Sequence, residues 1–274
     1  MGRDTGGLLS AWASTLVALL LALDPPRSEV VPPPPPATDE VGDISTLEPK
    51  RGAGVSPFEL IPRLELRQSF VSLGPGMSLH DTTTEIDIDL LDRVLLRYEG
   101  VLRVLTTPAG QKSGFGDSRI QALTILASGQ RYVAGTLTGV VLNTASQPAL
   151  GAGKQQVIFG GGGGFKPLRW WLPYLVVTEQ LSVGGDDKRP DVNQLTVDFG
   201  NIVFGKGFTW CKLDLEPFID FQAGQGRFFG NLELGRLLFR KVGLFMRTGT
   251  QLAGQRELDY SVEVGARYLF RLAD

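Results

Sequence analysis

Residues 256–270, RELDYSVEVGARYLF, alternate almost without a fault. In an extended chain Leu258, Tyr260, Val262, Val264, Ala266, Tyr268 and Phe270 fall on one side, and Glu257, Asp259, Ser261, Glu263 and Arg267 on the other. Such a strand has one apolar and one charged face. A soluble protein turns the apolar face to its core, whereas a membrane barrel turns it outward to lipid.

The same alternation recurs upstream. FELIPRLELRQSF (58–70) opposes Phe58, Leu60, Pro62, Leu64, Leu66 and Phe70 to Glu59, Arg63, Glu65, Arg67 and Ser69, and TEIDIDL (84–90) opposes Ile86, Ile88 and Leu90 to Glu85, Asp87 and Asp89. Further strands are predicted near 94–105, 118–126, 131–142, 155–165, 170–181, 194–204, 208–221, 228–238, 242–250 and 256–270, about twelve in all, each long enough to cross a tilted bilayer path. Their connections alternate. Long ones at 71–83, 106–117, 143–154 and 182–193 take turns with short ones at 91–93, 127–130, 166–169, 205–207 and 239–241. Loops sorted by length to opposite rims describe an all-β, up-and-down antiparallel transmembrane β-barrel.

Aromatic positions agree with two interfacial girdles. Tyr132, Phe165, Trp170, Trp171, Phe204, Phe208, Trp210 and Phe239 flank the short turns, with Phe58, Tyr268 and Phe270 on the same rim. Phe70, Phe221, Phe228, Phe229 and Tyr260 flank the long loops. The charged face suits a wet lumen, and Arg63, Arg67, Asp87, Arg97, Glu216 and Glu263 are the expected lining residues. A turn centred on Asp92 sets Asp87 opposite Arg97 and brings Arg63 and Arg67 to the acids of 85–89.

Ahead of the strands, LLSAWASTLVALLLAL (8–23) follows Arg3 and has the length of a secretory apolar segment rather than a full membrane span. Residues 1–25 are read as a signal peptide. The proline tract in VVPPPPPATDE cannot pack, so 26–56 is read as an extended Pro-rich linker, and 57–274 as the barrel. Balanced charge, 27 basic against 29 acidic residues, argues against nucleic acid as a partner. The single cysteine, Cys211, cannot form an internal disulfide.

Motifs that suggest chemistry weaken on inspection. GAGK (151–154) lacks the glycine six residues before Lys154 and the hydroxyl residue after it, so it is not a phosphate loop, and GGGGG (160–164) lies within a strand pattern. The only histidine, His80, is expected in the first long loop beside Ser78 and Asp81, where a hydrolase site would need a rigid support. Asp186, Asp187 and Asp191 match no calcium loop. No catalytic, cofactor or metal residues are expected.

Four stretches, SGFGDSRIQA (113–122), NTASQPALGAGKQQVIFGGG (143–162), GGDDKRPDVNQL (184–195) and KLDLEPFIDF (212–221), resemble the meta-pathway phenol degradation family of bacterial outer-membrane barrels across roughly residues 57–270. The resemblance implies about twelve strands and passage of small, hydrophobic or aromatic compounds, and it brings no established site residues. Ser118 stands where the family usually has an apolar residue, and Arg271–Asp274 trail the last aromatic.

The leading expectation is an outer-membrane channel or transporter for small molecules, with lipid and the barrel-assembly machinery as its other partners. Two further readings stay open: a lipid-modifying enzyme using His80, and a structural barrel with a closed lumen. In related barrels a terminal aromatic forms part of the signal that the assembly machinery reads. Deleting residues 271–274 should therefore leave assembly intact while Phe270→Ala impairs it, as scored by heat-modifiable gel mobility of the membrane fraction.

Overall fold

A computed structural model describes residues 54–255 and 258–270. The stretches read from sequence as a signal peptide and, up to residue 53, as a linker lie outside the described residues, as does the tail at 271–274. The strands are β1 (Arg63–Ser72), β2 (Ser78–Leu91), β3 (Val94–Thr107), β4 (Gly110–Phe115), β5 (Ser118–Ser128), β6 (Tyr132–Leu142), β7 (Lys154–Phe165), β8 (Trp171–Gly185), β9 (Asn193–Phe204), β10 (Thr209–Asp220), β11 (Gln225–Leu238), β12 (Val242–Gly254) and β13 (Tyr260–Leu269). Every pairing is antiparallel; neighbours follow chain order except that β3 pairs with β5 past β4, and β1 pairs with β13, so twelve strands close into an up-and-down barrel. The extra strand, β4, pairs only with the outer half of β3 and extends the wall beyond the ring.

Alternation fixes which face looks where. On β1, Arg63 and Glu65 are buried while Leu64 and Leu66 are exposed; on β2, Glu85 and Asp87 are buried while Ile86 and Ile88 are exposed. On β13 the apolar set from Tyr260 to Phe270 faces out, and Arg267 and Leu269 are buried inside. An apolar exterior around a charged interior is a barrel built for lipid.

Several sequence expectations are corrected. The connection foreseen at 71–83 shrinks to 73–77 because β1 and β2 run further, and much of 106–117 is the β3–β4 hairpin. Alternation of polar and small residues there carries too little apolar signal to read as strand. The segment 58–61 is not part of the wall; β1 starts at Arg63, Pro62 just before it accepts the Phe270 amide at 3.0 Å, and the chain ahead of that turns into the barrel. Four of the supposed girdle aromatics face inward: Trp210 is buried, Phe204 and Phe58 pack on the interior cluster, and Phe229 lies opposite Glu216.

Inward aromatics are seated by a repeated device. Tyr174 lies directly across from Gly200, Trp210 from Gly235 and Phe245 from Gly265. A Cβ on any of these glycines would come within 1.9, 2.1 or 2.3 Å of the facing ring. Each ring covers bare backbone on the neighbouring strand, which gives it one fixed orientation and shields the ladder beneath. Gly235→Ala should force Trp210 off its seat and cost about 1–3 kcal/mol, measurable as a lower urea midpoint with the barrel refolded in vesicles.

Candidate functional site

The interior has two unlike walls. On one side, strands β1 to β3 and β10 to β13 carry a charged belt. Its rungs follow the strand register. Glu65, Glu85 and Glu99 stand directly side by side on β1, β2 and β3, flanked in the same row by Arg267 and Arg119. Three adjacent carboxylates would repel one another. Each is therefore bound by a guanidinium: Arg267 to Glu65 at 2.9 Å, Arg63 to Glu85 at 2.7 Å, and Arg67 to Glu99 at 2.8 Å. One rung toward the short turns, Arg97 grips Asp87 in a bidentate pair with both bonds at 2.8 Å, and Arg63 lies 3.3 Å from the same carboxylate.

A second row alternates in sign. Lys212, Glu233, Arg247 and Glu263 are successive register partners on β10 to β13. Arg247 binds Glu233 at 2.6 Å and Glu263 at 3.4 Å. Beyond Lys212 lies an acidic corner, where Asp198, Asp214 and Glu216 offer oxygens all within 4.8 Å of one another. Their own side-chain partners hold them. Lys212 sits 2.9 Å from Asp214, the Tyr174 hydroxyl donates to Asp214 at 2.5 Å and reaches Asp198 at 3.3 Å, and Asn231 donates to Glu216 at 2.8 Å.

The facing wall, β5 to β8, is largely uncharged. Its inward positions include Gln121, Leu123, Leu137, Ile158, Val176 and Thr178, with glycines at 135, 139, 160, 162 and 164. Gly160 and Gly162 admit no side chain, since a Cβ would meet the carbonyl oxygens of Val177 and Leu175 at 2.3 and 2.1 Å. This wall is thin and smooth.

Both mouths are narrowed. At the long-loop rim, residues 143–153 fold back over β3 to β5. Arg103 donates to the Leu150 carbonyl at 3.1 Å, Leu150 is fully buried, and the Asp117 carboxylate accepts the backbone N–H groups of Ala145 and Ala152 at 3.2 and 2.7 Å. Within GAGK, the Ala152 amide is taken by the Asp117 carboxylate, and Lys154 pairs with Asp191 at 2.8 Å. At the short-turn rim, residues 54–61 enter the lumen. Val55 and Ser56 are buried, Phe58 meets the Tyr174 ring edge-on with centroids 6.3 Å apart, and the Gly54 carbonyl accepts from Arg63 and, at 2.7 Å, from Arg267. Burial pushes the Glu59 carboxyl above the usual carboxylate range, with Lys166 and Arg63 opposing the shift.

Arg63, Arg67, Asp87, Arg97, Glu216 and Glu263 all lie on the inner face. The Asp87–Arg97 pair is where the Asp92-centred turn put it. Arg67 stands opposite Thr83 and reaches Glu85 only diagonally, at 3.5 Å. Sequence reading did not single out Arg247, Arg267, Glu233 or Tyr174 as site residues, although the inward parity of their strands marks them. His80 is not in a loop: it lies on β2, exposed on the outer face against Phe70, with centroids 4.7 Å apart, while Asp81 points inward to Arg103 at 2.7 Å. Adjacent strand residues face opposite ways, so that carboxylate cannot orient that imidazole. In the loop at 186–191, Asp186 caps the Lys188 amide and Asp191 pairs with Lys154.

Solved structures share this architecture. An outer-membrane channel from Pseudomonas putida F1 superposes with a TM-score of 0.63 at 11% identity, over 80% of this chain and 99% of that one. A NanC porin does so at 0.58 and 6% identity, over 75% of this chain and 98% of its own, and a KdgM porin at 0.52 and 11%, over 76% and 99%. Likeness at such identity establishes the barrel fold. No protein-family model matches the chain, and no curated protein matches it either.

Asp87 is fully buried between two arginines. Removing it leaves both guanidiniums short of a partner, and Asp87→Ala should cost about 3–5 kcal/mol, the usual penalty for breaking a buried pair. Urea unfolding in vesicles, followed by tryptophan fluorescence, would measure it.

Proposed function

We propose that the protein is a channel of the bacterial outer membrane for small amphipathic molecules. The observation that carries this reading is the two-faced lumen: a charged wall across from a smooth, glycine-lined one, inside a barrel whose exterior suits lipid. A flat apolar or aromatic body fits against the uncharged wall of β5 to β8, and its polar groups exchange hydrogen bonds with the belt opposite. Passage of aromatic compounds, and membership of the meta-pathway phenol degradation family, accord with that geometry. The likeness to a channel and two porins supports the transport role. Outer-membrane lipid and the barrel-assembly machinery are the partners such a barrel requires.

Charge adds a direction. Asp198, Asp214 and Glu216 have Lys212 beside them, and the next cation, Arg247, is already paired with Glu233 and Glu263, so the corner between β9 and β10 carries an excess of negative charge in the lumen. Cations and neutral molecules should pass in preference to anions. A structural barrel that passes nothing is the second reading, favoured by the mutual pairing of the belt and the narrowing of both mouths.

Planar-bilayer conductance and liposome swelling separate the two. The folded barrel should conduct, and in a potassium chloride gradient its reversal potential should report cation preference. Asp198→Asn with Glu216→Gln should reduce that preference at least severalfold. A purified, heat-modifiable barrel silent in both assays, and still silent once residues 54–60 are removed, would end the channel reading.

A further inference from the structure

We propose that residues 54–61 are a displaceable stopper for the short-turn mouth of the barrel, released when the channel opens. The inference rests on the channel reading above. In the ring of twelve, running β1, β2, β3, β5, β6, β7, β8 and onward, β8 stands six places from β1, on the opposite side. Phe58 lies only five residues before β1 begins, yet it packs on Tyr174 of β8. Four residues earlier, Gly54 is back beside Arg63 and Arg267 of β1 and β13. The segment therefore crosses the lumen from wall to wall and returns.

Its attachments are of a kind that can be undone. Among the described residues no β-ladder joins 54–61 to the wall: the β1 register begins at Arg63, and Pro62, whose carbonyl accepts the Phe270 amide at 3.0 Å, is the hinge. The stopper holds its own shape, with the Glu59 carboxylate accepting the Val55 amide, Ser56 Oγ accepting the Phe58 amide, and the Glu59 amide donating to the Ser56 carbonyl. Its latch is a neutral carbonyl held by two guanidiniums that are already paired with acids, so withdrawal strands no charge. The apolar seat of Leu172, Ile202, Trp210 and Phe245 belongs wholly to barrel strands. The β1–β13 ladder, from Arg63–Leu269 to Ser72–Tyr260, contains no residue of 54–61, so their departure leaves it whole. Burial of the Glu59 carboxyl, which raises its pKa against the opposing charges of Lys166 and Arg63, works against the seated state wherever that group is ionised.

The test compares three purified chains, each shown to be folded by heat-modifiable mobility: the parent, a variant lacking residues 54–60, and a Val55→Asp, Phe58→Ala double variant that alters only the stopper. Single-channel conductance and liposome swelling with a small neutral sugar should rise severalfold in both variants. If the excised chain does not fold, the double variant alone gives the reading. A conducting parent with variants equal to it would overturn the stopper and leave the channel standing. Silence in all three would overturn both, because a lumen shut without the segment is shut by something else.

Discussion

One buried guanidinium ties this structure together. Arg267, on the closing strand, bonds Glu65 of β1 at 2.9 Å, lies 3.6 Å from Glu233 of β11, donates to the carbonyl of Gly54, and rests over the rings of Phe245 and Trp210 with centroid distances of 4.4 and 5.4 Å. Burying a cation is costly unless it is paired and its donors are satisfied. Arg267 meets that demand with groups from the barrel seam, the charged belt, the aromatic seat and the inserted segment at once. Arginine suits the task because its planar fork can bond at its edge and stack on its face.

The belt extends that logic around half the ring. A row of like charges at Glu65, Glu85 and Glu99 is tolerable only because arginines in the same row and the rows on either side neutralise it, and the antiparallel register brings them there. Individual surface pairs are worth little. Inside a lumen, where Asp87, Glu85 and Glu233 are shut away from solvent, their loss is far more damaging than their presence is stabilising. The neutral wall opposite works by the reverse means. Glycines at 160 and 162 let neighbouring backbones approach where any side chain would collide, which keeps the middle of that wall free of side chains.

The strand count and the facing of β13 were readable because a half-exposed strand has period two and nothing else in the chain competes with that signal. The turn at Asp92 fixed a register, and the register alone placed Asp87 against Arg97. Aromatics were harder to sort. Trp171 and Trp210 sit near the same rim, yet one faces out and the other is buried, because an aromatic ring satisfies either the headgroup region or an apolar patch within the barrel. His80 was misplaced since threonine-rich strand ends such as 82–84 look like loop.

By itself, then, the sequence determined a closed antiparallel barrel with lipid outside and charge within, since alternation and loop sorting are local properties of the chain. Only the tertiary structure decided what the charges do and where the chain before β1 goes. The pairing of Arg267 joins residues from positions 54, 65, 233 and 267, and no local pattern encodes their meeting. FELIP at 58–62 alternates as a strand should, but the wall is already complete with β1 beginning at Arg63, and an apolar seat inside the mouth offers Phe58 and Ile61 a better burial than lipid would.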